Sequence, residues 1–224
     1  IHGLFKVTEG IYQLRGFCLA NMTLIDGRKG WIVVDPLMTR ETASRAMDFA
    51  RQHLKDRPVS AVILTHSHID HFGGVAALFK AEHLQKPHIP VIAPKGFMEE
   101  ATSENIIAGI AMGRRAGYMY GKNLFPSVRG HVDNGLGKSV PFGTFGLIAP
   151  NRLVDRTPQE MTIDGVRFIF QYAPESEAPA ELTFYLPHKK VFCGAELVSH
   201  NMHNLYTLRG AKVRNALKWS GYID

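Results

Sequence analysis

The densest chemistry in the chain is Thr65-His66-Ser67-His68-Ile69-Asp70-His71, which sets three imidazoles and a carboxylate within six positions. Neutral imidazole and carboxylate are the donors that a borderline divalent ion such as zinc prefers, so metal binding is the chemistry on offer. The cluster follows the apolar run Val59-Ser60-Ala61-Val62-Ile63-Leu64. Such a run reads as a buried strand, and ligand sites of α/β sheets lie beyond the carboxyl ends of strands. In extended backbone, alternate side chains share a face. His66, His68 and Asp70 are therefore expected to converge, with His71 joining once the chain turns toward Gly73-Gly74. The competing reading is a polar, half-buried turn that happens to be rich in histidine.

Further acids sit at comparable strand ends. Glu177, in Ser176-Glu177-Ala178-Pro179, follows an apolar stretch ending at Tyr172, and Glu196, in Gly194-Ala195-Glu196-Leu197, follows one ending at Cys193. Each fits an exposed loop acid. Each also fits a ligand, because buried carboxylates without partners are costly and two cations about 3.5–4 Å apart need bridging anions. Asp35, ahead of Pro36, either caps a turn or orients a metal-binding histidine from behind. Residues 199–214 are rich in donors, and their Arg209 and Arg214 suit bidentate recognition of an oxyanion. A helix with a solvated basic face fits the same residues. Gly135 and Gly137 before Lys138 could cradle an anion, but their spacing is not a P-loop and no clear strand and helix flank them, so a plain surface loop is the preferred reading.

Residues 10–37 read as a β-meander with a hairpin signal at Asp26-Gly27 and a stop at Asp35-Pro36. Residues 40–54 read as a helix capped by Thr39, with Ala43, Ala46, Met47, Ala50 and Leu54 on one face. A short helix is expected from Gly73 through Lys80 and a strand at Pro90–Pro94. Residues 97–117 are expected to be largely helical, with Ile106, Ile107, Ile110 and Met112 as a packed face. Residues 118–143 read as a long loop, of the kind that is usually functional or disordered. Strands follow at Phe145–Ala149, at Met161–Ile163 and Val166–Tyr172 around Asp164-Gly165, and at Leu182–Leu186 and Val191–Gly194. Two β-rich blocks with helices between and outside them predict two sheets packed face to face, helices on the outer faces, in one domain.

Composition narrows the function. A 224-residue chain with 45% hydrophobic and 21% charged residues is that of an ordinary globular protein. No run approaches the ~20 apolar residues needed to span a bilayer. The net charge of +6 suits an anionic substrate, but the basic residues are scattered and not interleaved with aromatics, so nucleic acid is not expected as a partner. Cys18 and Cys193 lack a metal-binding spacing and read as buried small apolar residues. The start at Ile1, without an initiator Met, and the apolar pattern running to Asp224 suggest a piece of a longer protein.

The segment His66-Ser67-His68-Ile69-Asp70-His71 resembles the His-x-His-x-Asp-His signature of the metallo-β-lactamase superfamily. Glu177 within Ser176–Glu181, Ala195-Glu196, Tyr118-Met119-Tyr120-Gly121 and His203–Gly210 resemble one branch of it, the alkylsulfatases that hydrolyse dodecyl sulfate. The resemblance runs over essentially the whole chain. It implies an αββα sandwich of two mixed β-sheets with helices on the outer faces. It also implies two zinc ions per chain: His66, His68 and Glu177 on one, Asp70 and His71 on the other, and Glu196 bridging, with Asp70 and Glu196 counted as catalytic. Asp35 would orient a ligand. Asn204, Leu205, Tyr206, Thr207, Leu208 and Arg209, with Arg214, match the family's sulfate-gripping segment.

The implied reaction converts an alkyl sulfate ester to alcohol and inorganic sulfate by a metal-bridging hydroxide. The implied partner is that small-molecule ester, with no nucleic acid and no membrane span. A homodimer in the full-length protein and a periplasmic or secreted location are also implied. The family adds a last zinc-binding histidine downstream of the arginine segment, and nothing after His203 supplies it; His200 and His203 are the nearby substitutes. The family's helical dimerisation domain and lipid-carrier-like domain are absent too, so residues 1–224 are expected to be a catalytic domain cut short at its C-terminus, its alkyl pocket incomplete. The alternatives are another hydrolase of this fold, such as a lactonase, thioesterase or β-lactamase, or a metal-binding fragment without turnover.

Overall fold

A computed structural model describes residues 2–83, 87–134, 136–137, 139–199 and 201–224. The chain opens with β1 (Gly3–Thr8), β2 (Ile11–Arg15), β3 (Met22–Asp26) and β4 (Trp31–Val34), joined as an antiparallel meander. Gly27 N–H donates to the Gly30 carbonyl (2.9 Å), closing the expected turn after Asp26. The connection then lengthens. Helix α1 (Arg40–His53) crosses over and returns the chain as β5 (Val59–Ile63), parallel to β4, as a crossover of that length must. β6 (Val91–Pro94) and β7 (Arg152–Val154) extend the sheet in parallel, making one mixed seven-stranded sheet in sequence order.

Thr39 starts α1 with a reciprocal cap: its Oγ1 accepts from Thr42 N–H (3.1 Å), and Thr42 Oγ1 accepts from Thr39 N–H (3.2 Å). The face Ala43, Ala46, Met47 and Ala50 is buried against Leu14, Met22, Leu24 and Val33. Alternation does the rest. Ile32 and Val34 of β4 point the other way, into a core shared with Ile63 and with Phe168, Phe170 and Phe184 of the second sheet. A strand buried on both faces is why β4 and β5 read as continuous apolar runs.

The second sheet holds β8 (Gln159–Ile163), β9 (Val166–Tyr172), β10 (Leu182–Leu186) and β11 (Val191–Cys193) in the order β11-β10-β9-β8. The expectation of two mixed sheets holds for the larger one. This smaller sheet is antiparallel throughout, because each pair is joined by a short reversal and no crossover helix intervenes. Its outer face is covered in part by helix α5 (Ala216–Ile223), where Gln171 Nε2 donates to the Tyr222 carbonyl (2.8 Å), while Phe192 on the same face stays 52% exposed.

Four expectations are corrected. Helix α2 (Ile69–Phe72) begins before Gly73 and gives way to a 3-10 turn over Val75–Leu78, so Asp70 and His71 lie on a helical turn and not on an extended run. The 97–117 region is α3 (Phe97–Thr102), a wide π turn over Ser103–Ile107 and α4 (Gly109–Met119). The π turn shifts the helical register: Met112 is buried, whereas Ile106, Ile107 and Ile110 are 66–80% exposed and are not core. Residues 145–149 form no strand; Gly146 N–H donates to the Gly73 carbonyl (2.7 Å), which draws the segment over α2 while β7 takes the sheet edge. Residues 201–214 form no helix, and their backbone is spent on cross-links such as Arg214 N–H to the Leu205 carbonyl (2.9 Å). Gly135 and Lys138 of the suggested anion cradle, and His200, lie outside the described residues. Among the described residues no helix is long and apolar enough to cross a membrane.

Candidate metal centre

The histidine cluster leaves β5 and crosses to the second sheet. Leu182 N–H donates to the Thr65 carbonyl (2.8 Å) and Ser67 N–H to the Ala180 carbonyl (3.2 Å), with His66 and Glu181 forming an isolated bridge. This stitch brings the carboxyl end of β5 against the loop between β9 and β10, which carries Glu177. Glu196 arrives from the loop after β11 and Asp35 from the end of β4. His68, still extended (φ −79°, ψ 139°), starts α2, whose single turn swings Asp70 and His71 back toward His66.

Three groups of ligand atoms result, each mutually within 4.8 Å: His66, His68, Glu177 and Glu196; Asp70, His71 and Glu196; and Asp35, His66 and His71. His68 Nδ1 lies 2.9 Å from Glu177 Oε2, and His66 Nε2 lies 3.5 Å from the same oxygen. Glu196 spans the first two groups, with Oε2 3.8 Å from His66 Nε2 and Oε1 3.5 Å from His71 Nε2. Asp70 Oδ2 is 3.5 Å from His71 Nε2.

A relay of hydrogen bonds behind the imidazoles fixes which nitrogens face the site. Asp35 accepts from Thr65 N–H (2.8 Å) and from the Thr65 hydroxyl (2.7 Å), and it pairs with His71 Nδ1 (2.8 Å). Having given its one proton to Asp35, the Thr65 hydroxyl can only accept from His66 Nδ1 (2.9 Å). Both rings thus turn Nε2 inward. His66 Nε2 and His71 Nε2 are buried without a hydrogen-bond partner among the described residues, beside Glu177 Oε2, whose near polar neighbour is His68 Nδ1 at 2.9 Å. Buried acceptors gathered at one spot demand an explanation, and a divalent cation with nitrogen and oxygen ligands meets their chemistry. Asp35 reaches this position at φ +53°, and Ala195, just before Glu196, is also left-handed at φ +49°. Non-glycine residues hold that conformation only where the surroundings over-determine it.

The electrostatics are those of a site where protons and metal compete for the same lone pairs. Burial, with His71 and His68 adding like charge, holds His66 well below the ordinary histidine value. For His68 burial acts downward too, but Glu177 and Glu104 outweigh it and raise the ring to about 9. His71 is lifted well above the usual value, Asp70 and Asp35 outweighing burial. Glu177 sits well below the carboxylate range despite its burial, because His68, His66 and Arg214 surround it.

The arginine segment splits. Arg214 is buried, with Nε donating to the Glu177 carbonyl (2.6 Å), Nη2 paired with the Glu177 carboxylate and Nη1 donating to Asn204 Oδ1 (3.1 Å). It holds Glu177 in place; removing one partner of such a buried pair typically costs about 3–5 kcal/mol. Arg209 is ion-paired with Glu104. Asn204, Thr207, Arg209 and Arg214 line a cavity of about 540 Å³ that also contains His68, Asp70, Glu177 and Glu196. Leu205, Tyr206 and Leu208 do not line it and are 46–76% exposed. His203, with Nδ1 2.9 Å from the Asn204 carbonyl, turns Nε2 to within 3.5 Å of Glu177. Leu19, Met112, Leu136, Val140 and Phe145 give the same cavity an apolar lining.

Three participants escaped the sequence reading. Thr65 was visible only as the residue before the first histidine. Glu104 gave no signal of its own, standing among Glu99, Glu100, Ser103 and Asn105 in a polar run. Glu181 is fully buried beside Glu177, accepting from Ser176 Oγ (2.7 Å) and Ala178 N–H (3.0 Å); burial and the Glu177 charge push it up to about 8.

A sequence profile described as the metallo-beta-lactamase superfamily matches residues 15–218. An alkyl/aryl-sulfatase of Saccharomyces cerevisiae is 49% identical over 224 residues, covering 100% of this chain and 35% of that protein. A linear primary-alkylsulfatase of a Pseudomonas species is 46% identical, covering 100% of this chain and 33% of its own. The solved structure of the stereoselective inverting sec-alkylsulfatase Pisa1 from a Pseudomonas species superposes with a TM-score of 0.96 at 44% identity, over 100% of this chain and 36% of that one. The chain therefore spans about a third of the length of these relatives.

Proposed function

The chain belongs to the metallo-β-lactamase superfamily, and from that premise we propose that it carries the catalytic centre of a zinc-dependent alkylsulfatase, hydrolysing alkyl sulfate esters to alcohol and inorganic sulfate. The observation that carries the reading is the single Glu196 carboxylate shared between two ligand groups, one of them completed by Glu177. It is joined by the likeness to relatives named alkylsulfatases.

On this reading His66, His68 and Glu177 would hold one zinc ion and Asp70 and His71 the other, with the Glu196 carboxylate within reach of both groups. Bound there, the pair supplies Lewis acidity and lowers the pKa of water toward neutrality. The protein does the rest. Asp35 and Thr65 fix the inward nitrogens of His71 and His66. Arg214 locks Glu177. Arg209, at the cavity wall with Asn204 and Thr207, offers a fixed positive charge to the sulfate as negative charge shifts to the leaving group. The apolar wall receives the alkyl chain and keeps water from it.

Metal analysis and turnover test the proposal. We expect about two zinc ions per chain, falling to about one in Glu196→Ala, and release of sulfate from dodecyl sulfate with none of the nitrocefin hydrolysis of a β-lactamase. A wild-type chain that binds no zinc would sink the reading. Zinc binding with nitrocefin turnover and no sulfate release would transfer it to another hydrolase of this fold.

A further inference from the structure

Glu104 lies on the π turn Ser103–Ile107 between α3 and α4, buried to 9% exposure in a segment whose neighbours Ile106 and Ile107 face solvent. One of its oxygens, Oε1, is ion-paired with Arg209 Nη1. The other, Oε2, stands 3.7 Å from His68 Nε2. His68 has turned its other nitrogen, Nδ1, to Glu177, so Glu104 meets the back of a proposed ligand while holding the arginine of the cavity wall. At 3.7 Å the contact is electrostatic and not a hydrogen bond. π turns of this kind recur at functional sites because they re-aim a side chain that a regular helix would direct elsewhere.

We propose that Glu104 is a positioning residue that couples the two halves of the active site, orienting His68 for the metal with one oxygen and Arg209 for the sulfate with the other. The inference rests on the alkylsulfatase reading for its sulfate half and on the ligand assignment alone for its metal half. Carboxylates behind a ligating histidine raise its basicity and fix its ring, and their loss typically costs about 10–100-fold in metal affinity. An arginine freed from its anchor keeps its charge but loses its fixed direction, which weakens recognition of an oxyanion without abolishing it.

The experiment uses this chain, its metal-free form titrated with zinc against a chelator, and its zinc-saturated form titrated with 1-octanesulfonate as an unhydrolysable mimic of the ester. Glu104→Gln is expected to lower zinc affinity about tenfold or more, and to weaken octanesulfonate binding even at saturating zinc. Arg209→Met should weaken octanesulfonate about tenfold or more and leave zinc affinity unchanged. In the double variant the two sulfonate losses should not add, because both act through Arg209. Glu104→Asp, which keeps the charge, should recover part of both affinities; it also serves as the judge if Glu104→Gln fails to fold. Unchanged zinc affinity in folded Glu104→Gln overturns the coupling, and so do fully additive sulfonate losses. If the zinc-saturated wild type binds no octanesulfonate, the sulfatase reading falls, while the zinc titration still decides whether Glu104 serves His68.

Discussion

Asp35 does more than its sequence position suggested. Two readings were open, a turn cap and an orienting carboxylate, and the hydrogen bonds of Asp35 to Thr65 and His71 are those the second would need. Asp35→Asn is expected to cost about 10–100-fold in zinc affinity, measured by chelator competition, because an amide can satisfy only part of that relay; an unchanged affinity would contradict the assignment. Glu181 makes a separate prediction through pH. Burial and the neighbouring Glu177 charge push its carboxyl up to about 8, above the ordinary carboxylate value of 4.5, so its contribution to stability is fully present below about 4.5 and is lost as pH rises through about 8. In the metal-free chain, urea midpoints should therefore fall more between about pH 5 and pH 8 for the wild type than for Glu181→Gln, whose amide cannot ionise. Equal slopes would refute it. The histidines were legible because their types and spacing are local. Glu177 and Glu196 read equally well as loop acids, since what makes Glu177 a buried partner of Arg214 is the meeting of segments 37 residues apart.

At the scale of elements, legibility followed periodicity and turn chemistry. The helix beginning at Thr39 and the reversals at Asp26-Gly27 and Asp164-Gly165 stood out, since each signal lies within a few residues. The misreadings share a cause. The run 145–149 is apolar because Ile148 packs beneath α2 and α3, not because it pairs in a sheet, and composition does not distinguish the two. The isoleucines at 106, 107 and 110 satisfied a helical period that the π turn interrupts. Stability measurements should follow the observed faces. Ile107→Lys is expected to change the unfolding free energy by no more than about 0.5 kcal/mol, whereas Phe97→Ala, on the same helical stretch but fully packed against Phe72, should cost about 3–5 kcal/mol. Thr39→Ala removes the reciprocal cap of α1 and should cost about 1 kcal/mol. Denaturant titrations of the three variants decide all of it.

Over the whole molecule, the burial of the centre is lopsided. His66 and Glu177 are at 0% and 2% side-chain exposure, whereas Asp70 and Glu196 are at 22% and 38%. His66 lies in the seam where the two sheets are stitched together, His71 is buried beside it, and His68, Glu177, Asp70 and Glu196 line the cavity, the last two with the greater exposure. On the proposed assignment, the two ions would differ in lability: the inner one behaves as part of the folded framework and exchanges only when the seam opens, while the outer one is an exchangeable passenger. Zinc removal by an excess of chelator should accordingly run in two phases of similar amplitude, with the melting temperature dropping mainly in the slower one. A single phase would mean that the ions leave together. With two phases, the proposed assignment implies a chain that gives up the outer ion first when metal is scarce and keeps its architecture until supply returns.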